Sequence, residues 1–278
     1  MFLMDDIDYL SMGGFTINYE DRAGLNCSLR ILKDAEKYKN VSLWGRIIGV
    51  QKDYFIAQCW NDDIFDRKYF YSTDTITWLQ LPEITDEELK DISEIYSRFI
   101  GDPSYEYQLQ NQTPQNNQQI LEDENAQEKE PINEEKRLSG VIKMINYDVE
   151  IVPRGAYYQD RLRNILSNEK FKGLTEKDMI DLASYFHFRS GFKLSLETVE
   201  DRISIDQSID IFDNIEKDKP DGIWSLQVEK GGSTITLRSL LWPGYFFFHA
   251  PKTEMRQCKY GSMYNGYGIK NVNLGIML

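Results

Sequence analysis

The clearest structural signal in the chain lies at residues 223–241, which read IWSLQVEKGGSTITLRSLL. Two runs that alternate in polarity flank Gly231-Gly232, and such a glycine pair is typical of the two-residue turns that β-hairpins favour. Placing Lys230 opposite Ser233 fixes the register of the two strands. The expected partners are Val228 with Ile235 and Leu226 with Leu237 on a core side, and Gln227 with Thr236 and Ser225 with Arg238 on a polar side.

The flanking sequence extends this β pattern in both directions. Trp242-Pro243-Gly244 ends the second strand, and the aromatic run Tyr245–Phe248 predicts a further strand. Far upstream, residues 43–50 read LWGRIIGV and residues 54–59 read YFIAQC, with Gln51-Lys52-Asp53 between them. These two apolar, β-branched and aromatic runs predict a second hairpin.

Two helices are predicted from capping signals. Thr85 precedes Glu88 by three positions, as in a capping box, and Ile84 is placed to pack on Leu89. An apolar face then follows at helical spacing, consisting of Leu89, Ile92, Tyr96 and Phe99. The second helix is expected to start at Thr175 and to end at Gly191, with a stripe formed by Met179, Leu182, Ala183 and Phe186.

A compositional break divides the chain. Almost every residue from Gln108 to Gln119 is Gln or Asn, and acidic residues dominate 121–136. Such a segment buries too little apolar surface to offset the entropy of ordering it, so residues 108–136 are expected to form a flexible linker. The predicted organisation is an α+β half at 1–107, the linker, and an α+β half at 137–278. The predicted fold class is α+β, with antiparallel hairpins packed against a few capped helices.

Composition limits the possible partners. The 278 residues carry a net charge of −13, which argues against binding nucleic acid or an anionic membrane, because both need clustered Lys and Arg. The first residues are acidic rather than basic, and no apolar run approaches the ~20 residues of a membrane span. We therefore expect a protein of the cytosol or of a cytosolic structure, whose partners are other proteins.

Residues suited to catalysis or metal binding are scarce. The chain has only His187 and His249, and its three cysteines, Cys27, Cys59 and Cys258, are isolated from one another and from histidine. Common zinc and non-haem iron sites need two or three such ligands together. Both histidines are therefore expected to have packing or hydrogen-bonding roles, and the cysteines to be reduced, buried thiols.

The near-matches to catalytic motifs fail at their chemical residues. Gly261 and Gly266 have the spacing of a phosphate-binding loop, but Tyr267 stands where the loop requires Lys, so the glycines are expected to mark turns. The pairs Asp62-Asp63 and Glu87-Glu88 leave open a hydrolase that uses carboxylates alone. Solvated surface is the simpler interpretation of these acids. We predict no enzyme activity, no metal and no cofactor.

Aromatic residues make up 13% of the chain, and some of them are candidates for contacts with partners. Trp, Tyr and Arg dominate the binding energy of many protein interfaces. Trp44 with Arg46, and Arg238 with Trp242, are the interface candidates. For each of the two tryptophans, a place in the core is the competing interpretation.

Several stretches together resemble the radial spoke head protein 9 family. They occur in order along the chain at 43–49 with 53–58, 99–107, 151–156, 182–189 and 237–251, the last including LRSLLWPG and FHAP. The C-terminal NLGIML at 273–278 is similar as well. The resemblance runs from about residue 41 to 278 and is interrupted mainly by the segment rich in Gln, Asn and acidic residues.

This resemblance implies a structural subunit of the radial spoke head, in the axoneme of motile cilia and flagella, that supports spoke assembly and the regulation of beating. It implies no catalytic residue. The implied partners are radial spoke head proteins of the 1 and 4/6 types, spoke stalk proteins and central pair projections. The alternatives are a carboxylate-dependent hydrolase and a soluble adaptor that binds basic proteins through its acidic segment.

Overall fold

A computed structural model describes residues 9, 11, 14, 16–107, 131–189, 206, 208–252 and 258–274. In these residues three α-helices and fourteen β-strands occur. The helices are α1 (Tyr19–Glu36), α2 (Asp86–Ser93) and α3 (Glu134–Val149). The strands are β1 (Asn40–Ile47), β2 (Tyr54–Trp60), β3 (Lys68–Ser72), β4 (Leu79–Gln80), β5 (Glu106–Tyr107), β6 (Ile132–Asn133), β7 (Ile151–Pro153), β8 (Tyr157–Gln159), β9 (Ile165–Ser167), β10 (Tyr185–His187), β11 (Trp224–Glu229), β12 (Thr234–Ser239), β13 (Tyr245–Ala250) and β14 (Lys259–Gly266).

One eight-stranded sheet dominates the fold, in the order β11-β12-β13-β14-β1-β2-β3-β4. Neighbouring strands are antiparallel except for β1 and β14, which run parallel with Gly45 opposite Tyr264. This pairing joins the N-terminal and C-terminal parts of the chain in a single sheet. The predicted α+β class, with antiparallel hairpins and a few helices, is confirmed.

The C-terminal hairpin has the predicted register. Its pairs include Leu226 with Leu237 and Ser225 with Arg238, and the turn glycines Gly231 and Gly232 have φ angles of 66° and 92°. The polar side of the hairpin is nevertheless not a solvated face at β12. Thr234 and Thr236 are fully buried, because β12 lies between β11 and β13 inside the sheet.

The N-terminal hairpin is also present, as β1 and β2, with a register shift between Leu43 and Gly45. Gly45 lies where the parallel strand comes closest, since a Cβ atom added there would stand 2.2 Å from the carbonyl oxygen of Tyr264. Only glycine therefore fits between the two strands at this position.

Both faces of the sheet are covered by apolar contacts. On one face Leu25, Leu29 and Leu32 of α1 pack in a cluster that includes Phe55 and Phe246. On the other face the buried apolar side chains of α3 join a larger cluster with residues of β1, β2, β12 and β13, and these α3 residues are Leu138, Val141, Ile142, Ile145 and Val149. The alternation of side chains along β2 explains how one strand contributes to both clusters.

The helix after Ile84 starts as predicted and ends early. Thr85 and Glu88 form the capping box, with the Glu88 carboxylate accepting from the Thr85 N–H at 2.9 Å. The helix stops at Ser93, so the prediction that its apolar face reaches Phe99 is wrong. After Ser93 the chain leaves the helical conformation, because the guanidinium of Arg137 donates hydrogen bonds to the carbonyl groups of Ile95 and Ser97.

The helix predicted from Thr175 to Gly191 does not form. The Thr175 hydroxyl does accept from the Asp178 N–H at 3.3 Å, but the chain makes only short 3-10 turns at Asp178–Ile180 and Leu182–Ser184. Strand β10 follows and pairs with β7. Tertiary strand pairing thus overrides a local pattern that fits a helix. Gly191 lies outside the described residues.

The boundary predicted for the linker is also corrected. Residues 108–130 lie outside the described part of the chain, but Ile132–Asn133 forms β6 and α3 begins at Glu134. Ordered structure therefore starts before residue 136. The division into two halves stays a prediction, although strands from both predicted halves share one sheet.

Among the described residues, no helix combines the length and apolar character needed to cross a bilayer.

Candidate protein-interaction surface

A buried carboxylate at the start of α3 holds several parts of the chain together. Glu134 is fully buried and accepts hydrogen bonds from the Tyr54 hydroxyl at 2.7 Å and from the backbone N–H groups of Ile100 and Gly101 at 2.9 and 2.7 Å. The Tyr107 hydroxyl donates to it as well. Burial and these hydrogen bonds raise the pKa of both tyrosines, so they remain protonated donors. The four donors all bind the Glu134 carboxylate, so this buried group serves to hold the fold together.

Arg137, one turn along α3, is buried beside this carboxylate. Its guanidinium lies 4.2 Å from the ring centre of Phe99 and 4.6 Å from that of Tyr107. Buried Arg groups of this kind combine cation–π contacts with hydrogen bonds to backbone carbonyls. These contacts hold residues 95–107 against α3. The Arg137 side chain is buried, so it is not accessible to a partner protein.

The two tryptophans among the predicted interface residues lie within the core. Trp44 is 7% exposed, and its indole N–H donates to the Asn146 side chain at 2.7 Å. Trp242 is 1% exposed and donates to Asp148 at 2.9 Å. Both indole N–H groups therefore have their acceptors on α3. Because both side chains are buried, almost no ring surface is accessible to a partner in this conformation.

The two arginines of the prediction are partly accessible. Arg46 donates from Nε to the Asn265 side chain at 3.0 Å and lies 3.5 Å from the carboxylate of Asp53. Arg238 lies over the ring of Phe246 at 6.0 Å, and its Nε has no hydrogen-bond partner within the described structure. The structure does not bring the four predicted residues together into one patch, and their role in an interface stays a prediction.

A concave surface lies between β3–β4 and the outer side of α3. This Tyr147 groove has a volume of about 630 Å³. The side chains that shape it include Phe65, Lys143, Tyr147 and Arg189, and Tyr147 and Phe65 are 59% and 41% exposed. A groove of this size with exposed aromatic groups is suited to holding side chains of another protein.

A second groove lies at the C-terminal end of α3. This His187 groove has a volume of about 440 Å³ and is lined by residues that include Asp148, His187, Asp218 and Lys219. Arg189 is part of the lining of both grooves. Sequence reasoning missed this surface, although Lys143 and Tyr147 are four positions apart and therefore share one face of a helix.

The two histidines have structural partners, as predicted. His187 is buried, and its Nε2 lies 2.8 Å from the carboxylate of Asp218, which also accepts from the Trp224 indole at 2.9 Å. His249 is fully buried, its Nε2 accepts from the Leu174 N–H at 3.1 Å, and burial lowers its pKa to about 4. Among the residues that the structure describes, no three His, Cys, Asp or Glu side chains are grouped to hold a metal ion.

The remaining motif residues have ordinary surroundings. Cys59 is buried and Cys258 is partly buried, but Cys27 is exposed on α1, so the expectation of a buried thiol is wrong there. Gly261 and Gly266 lie within β14, so the expectation that these glycines mark turns is wrong too. Asp62 pairs with Lys39, and Asp63 accepts from the Phe65 N–H at 2.9 Å, both at exposed positions.

The comparisons with known proteins agree on one family. A family model described as "Radial spokehead-like protein" matches residues 2–147. The chain is 38% identical to a human (Homo sapiens) protein named "Radial spoke head protein 9 homolog" over 278 residues, covering 99% of this chain and 98% of the relative. Proteins of the same name from Mus musculus and Danio rerio are 38% and 35% identical, with 98% and 97% of their own lengths covered.

These matches span nearly the whole of both chains, so they include both the N-terminal and the C-terminal strands of the central sheet. Identity at this level over such a length is sufficient to assign the chain to a family. The chain belongs to the radial spoke head protein 9 family.

Proposed function

We propose that this chain is a structural subunit of the radial spoke head, in the axoneme of motile cilia or flagella, where it supports head assembly and the regulation of beating. The observation that carries the proposal is the full-length similarity to relatives named radial spoke head protein 9 homologs. A role that depends on the shape of the whole subunit requires most of its parts, and the similarity covers 98% and 97% of these two relatives.

The fold suits a load-bearing role. The parallel pairing of β1 with β14 places the first and last strands of the described chain at the centre of one sheet, and α1 and α3 cover its two faces. Strands in the middle of a covered sheet open only when much buried surface is exposed. The subunit is thus expected to transmit force between its neighbours without yielding locally.

Within the head, the proposed neighbours are radial spoke head proteins of the 1 and 4/6 types, with further contacts to stalk proteins and central pair projections. Arg46 and Arg238, which are partly accessible, remain candidates for such contacts. Trp44 and Trp242 act in the proposal mainly by supporting α3, to which both indole groups bind. The proposed mechanism involves binding alone and no catalytic step.

The experiment that tests the proposal is fractionation of axonemes. Cilia are demembranated, the axonemes are extracted with rising salt, and the chain is followed beside markers of the spoke head, the spoke stalk and the outer doublets. We expect the chain to stay with the axoneme at low salt and to be released together with the spoke-head proteins.

Two outcomes contradict the proposal. Release with the detergent-soluble fraction indicates a soluble protein, as the adaptor interpretation requires. The second outcome comes from a variant that lacks residues 108–135. If this deletion abolishes all partner binding while spoke proteins are absent from the wild-type complexes, the acidic segment is the binding element and the adaptor interpretation is correct.

A further inference from the structure

The Tyr147 groove and the His187 groove have Arg189 in common in their linings, and we treat them together as one surface, the Arg189 channel. Its lining contains more cationic than acidic side chains, although the whole chain has a net charge of −13. The cations are Arg67, Lys68, Lys143, Arg189, Lys217 and Lys219. The carboxylates are Glu83, Asp148, Glu150 and Asp218.

All four carboxylates of the channel are already engaged. Glu150 lies 2.7 Å from the guanidinium of Arg67, and Glu83 pairs with Lys68. Asp148 accepts from the Trp242 indole and from Lys270, at 2.9 and 2.8 Å. Asp218 is held by His187 and the Trp224 indole. Their negative charge is therefore largely compensated within the chain.

Hydrogen-bonding capacity remains on the cationic side. The Asp213 carboxylate lies 4.0 Å from the Arg189 Nε atom, which is too far for a hydrogen bond, and the Arg189 side chain is 17% exposed. Lys143 has only a long contact of 3.5 Å to Asp86, and the Asp86 side chain is 93% exposed. Such a contact contributes little in water, so the Lys143 ammonium group is available to another carboxylate.

Aromatic groups lie between these cations. The guanidinium of Arg189 lies over the ring of Tyr147 at 4.3 Å and donates a hydrogen bond of 2.6 Å to its backbone carbonyl. Phe65 stacks on Phe188 with ring centres 4.9 Å apart and is 41% exposed. A surface that alternates exposed aromatic groups with Arg and Lys is suited to binding acidic and apolar side chains in alternation.

We propose that the Arg189 channel binds an extended acidic segment of another spoke-head polypeptide, with carboxylates at Lys143, Arg189 and Lys219 and apolar side chains against Tyr147 and Phe65. The naming of a spoke-head polypeptide rests on the proposed function. The chemistry of the segment rests only on the channel. We propose an extended peptide because such a segment is long enough to contact both grooves, which share Arg189 in their linings.

The test uses the purified full-length chain and a short fluorescein-labelled peptide that alternates Glu with Leu. Binding is followed by fluorescence anisotropy, and it is expected to weaken as salt is raised. The double variant Lys143→Glu, Lys219→Glu should bind at least about tenfold more weakly, because two attractive contacts become repulsive. Tyr147→Ala should weaken binding about fivefold through loss of the exposed ring.

The matched control is Lys33→Glu, which makes the same charge change in the exposed last turn of α1, away from the channel. This variant should bind the peptide as the wild type does. A peptide with Lys in place of Glu should bind at least about tenfold more weakly than the acidic one. Equal affinity of the wild type and the double variant, or no binding of the acidic peptide at low salt, overturns the proposal.

One further variant separates two possible occupants. Deletion of residues 121–130 removes acidic sequence of the chain itself. Unchanged peptide affinity supports an external partner, whereas a clear rise in affinity shows that the chain's own acidic residues occupy the channel, which overturns the proposal. Incorporation into axonemes is measured separately. Assembly without peptide binding contradicts only the channel proposal, and peptide binding by a chain that never reaches the axoneme contradicts only the proposed function.

Discussion

The hydroxyl group of Tyr54 donates a hydrogen bond of 2.7 Å to the carboxylate of Glu134, eighty positions further along the chain. This contact joins the start of β2 to the start of α3, across the whole of the Gln-rich and acidic segment. Because Glu134 also receives the N–H groups of Ile100 and Gly101, one buried side chain connects the N-terminal hairpin, the segment after α2 and the helix that covers the sheet.

Removing the Tyr54 hydroxyl is expected to weaken this connection measurably. Tyr54→Phe keeps the ring and loses one charge-assisted hydrogen bond inside the core, so the free energy of unfolding should fall by about 1–3 kcal/mol. Urea denaturation of the purified chain measures the change. The control is Tyr96→Phe, at a position 57% exposed, which should change stability by less than about 0.5 kcal/mol. Equal effects of the two changes would argue against the role given to Glu134.

Gly45 is predicted to be indispensable to the sheet. In Gly45→Ala the new methyl group meets the Tyr264 carbonyl, so β1 and β14 must separate, at a cost of about 3 kcal/mol or more. Hydrogen exchange should show reduced protection in both strands. Gly231→Asn is the matched control, because a Cβ there meets nothing within 4 Å and Asn tolerates the left-handed conformation. Retained protection in β14 of the Gly45 variant contradicts this prediction.

The cap of α2 has a smaller and separable effect. Thr85→Ala removes the hydroxyl that accepts from the Glu88 N–H at 3.3 Å, and it should destabilise the chain by about 1 kcal/mol. Thr85→Ser keeps the hydroxyl and should retain most of the stability. Chemical denaturation of the three proteins under one set of conditions makes the comparison. If the Ser variant is as unstable as the Ala variant, the capping interaction is not the cause.

Acidification is expected to destabilise the chain partly through His249. Burial lowers the pKa of His249 in the folded chain to about 4, below the ordinary value of 6.5, so between these values the unfolded chain binds the extra proton. The stability due to neutral His249 is therefore complete above about pH 6.5. It is lost progressively as the pH falls toward 4, by about 3 kcal/mol in total.

His249→Gln checks this pH dependence. Glutamine offers an acceptor for the Leu174 N–H and does not titrate, so the variant should lose less stability than the wild type between pH 6.5 and 4. Carboxylates titrate in both proteins, so the difference between the two curves of unfolding free energy against pH isolates His249. Parallel curves over this range would show that His249 is already protonated in the folded chain.

The sequence was informative where structure depends on near neighbours. The register of the hairpin at 223–241 follows from two glycines and the alternation around them, and the capping box at Thr85 follows from residues three positions apart. The parallel pairing of β1 with β14 has no such local signal. It joins residues as distant as Arg46 and Asn265, whose side chains are also hydrogen-bonded at 3.0 Å.

The errors have the same physical origin. Met179, Leu182 and Phe186 satisfy a helical spacing, yet hydrogen bonds between β10 and β7 extend the chain at Phe186. For the candidate surface, composition alone could not separate a tryptophan in the core from one in an interface. Trp242 lies against α3 because Asp148 accepts its indole N–H, a contact between residues 94 positions apart.

The most direct test of the account is electron cryotomography of axonemes from cells that lack this chain. A structural subunit of the spoke head must leave a gap, so we predict that density is lost or displaced at the heads of the radial spokes, and that expression of the wild-type chain restores it. Intact spoke heads with normal beating in the absence of the chain would contradict the central claim.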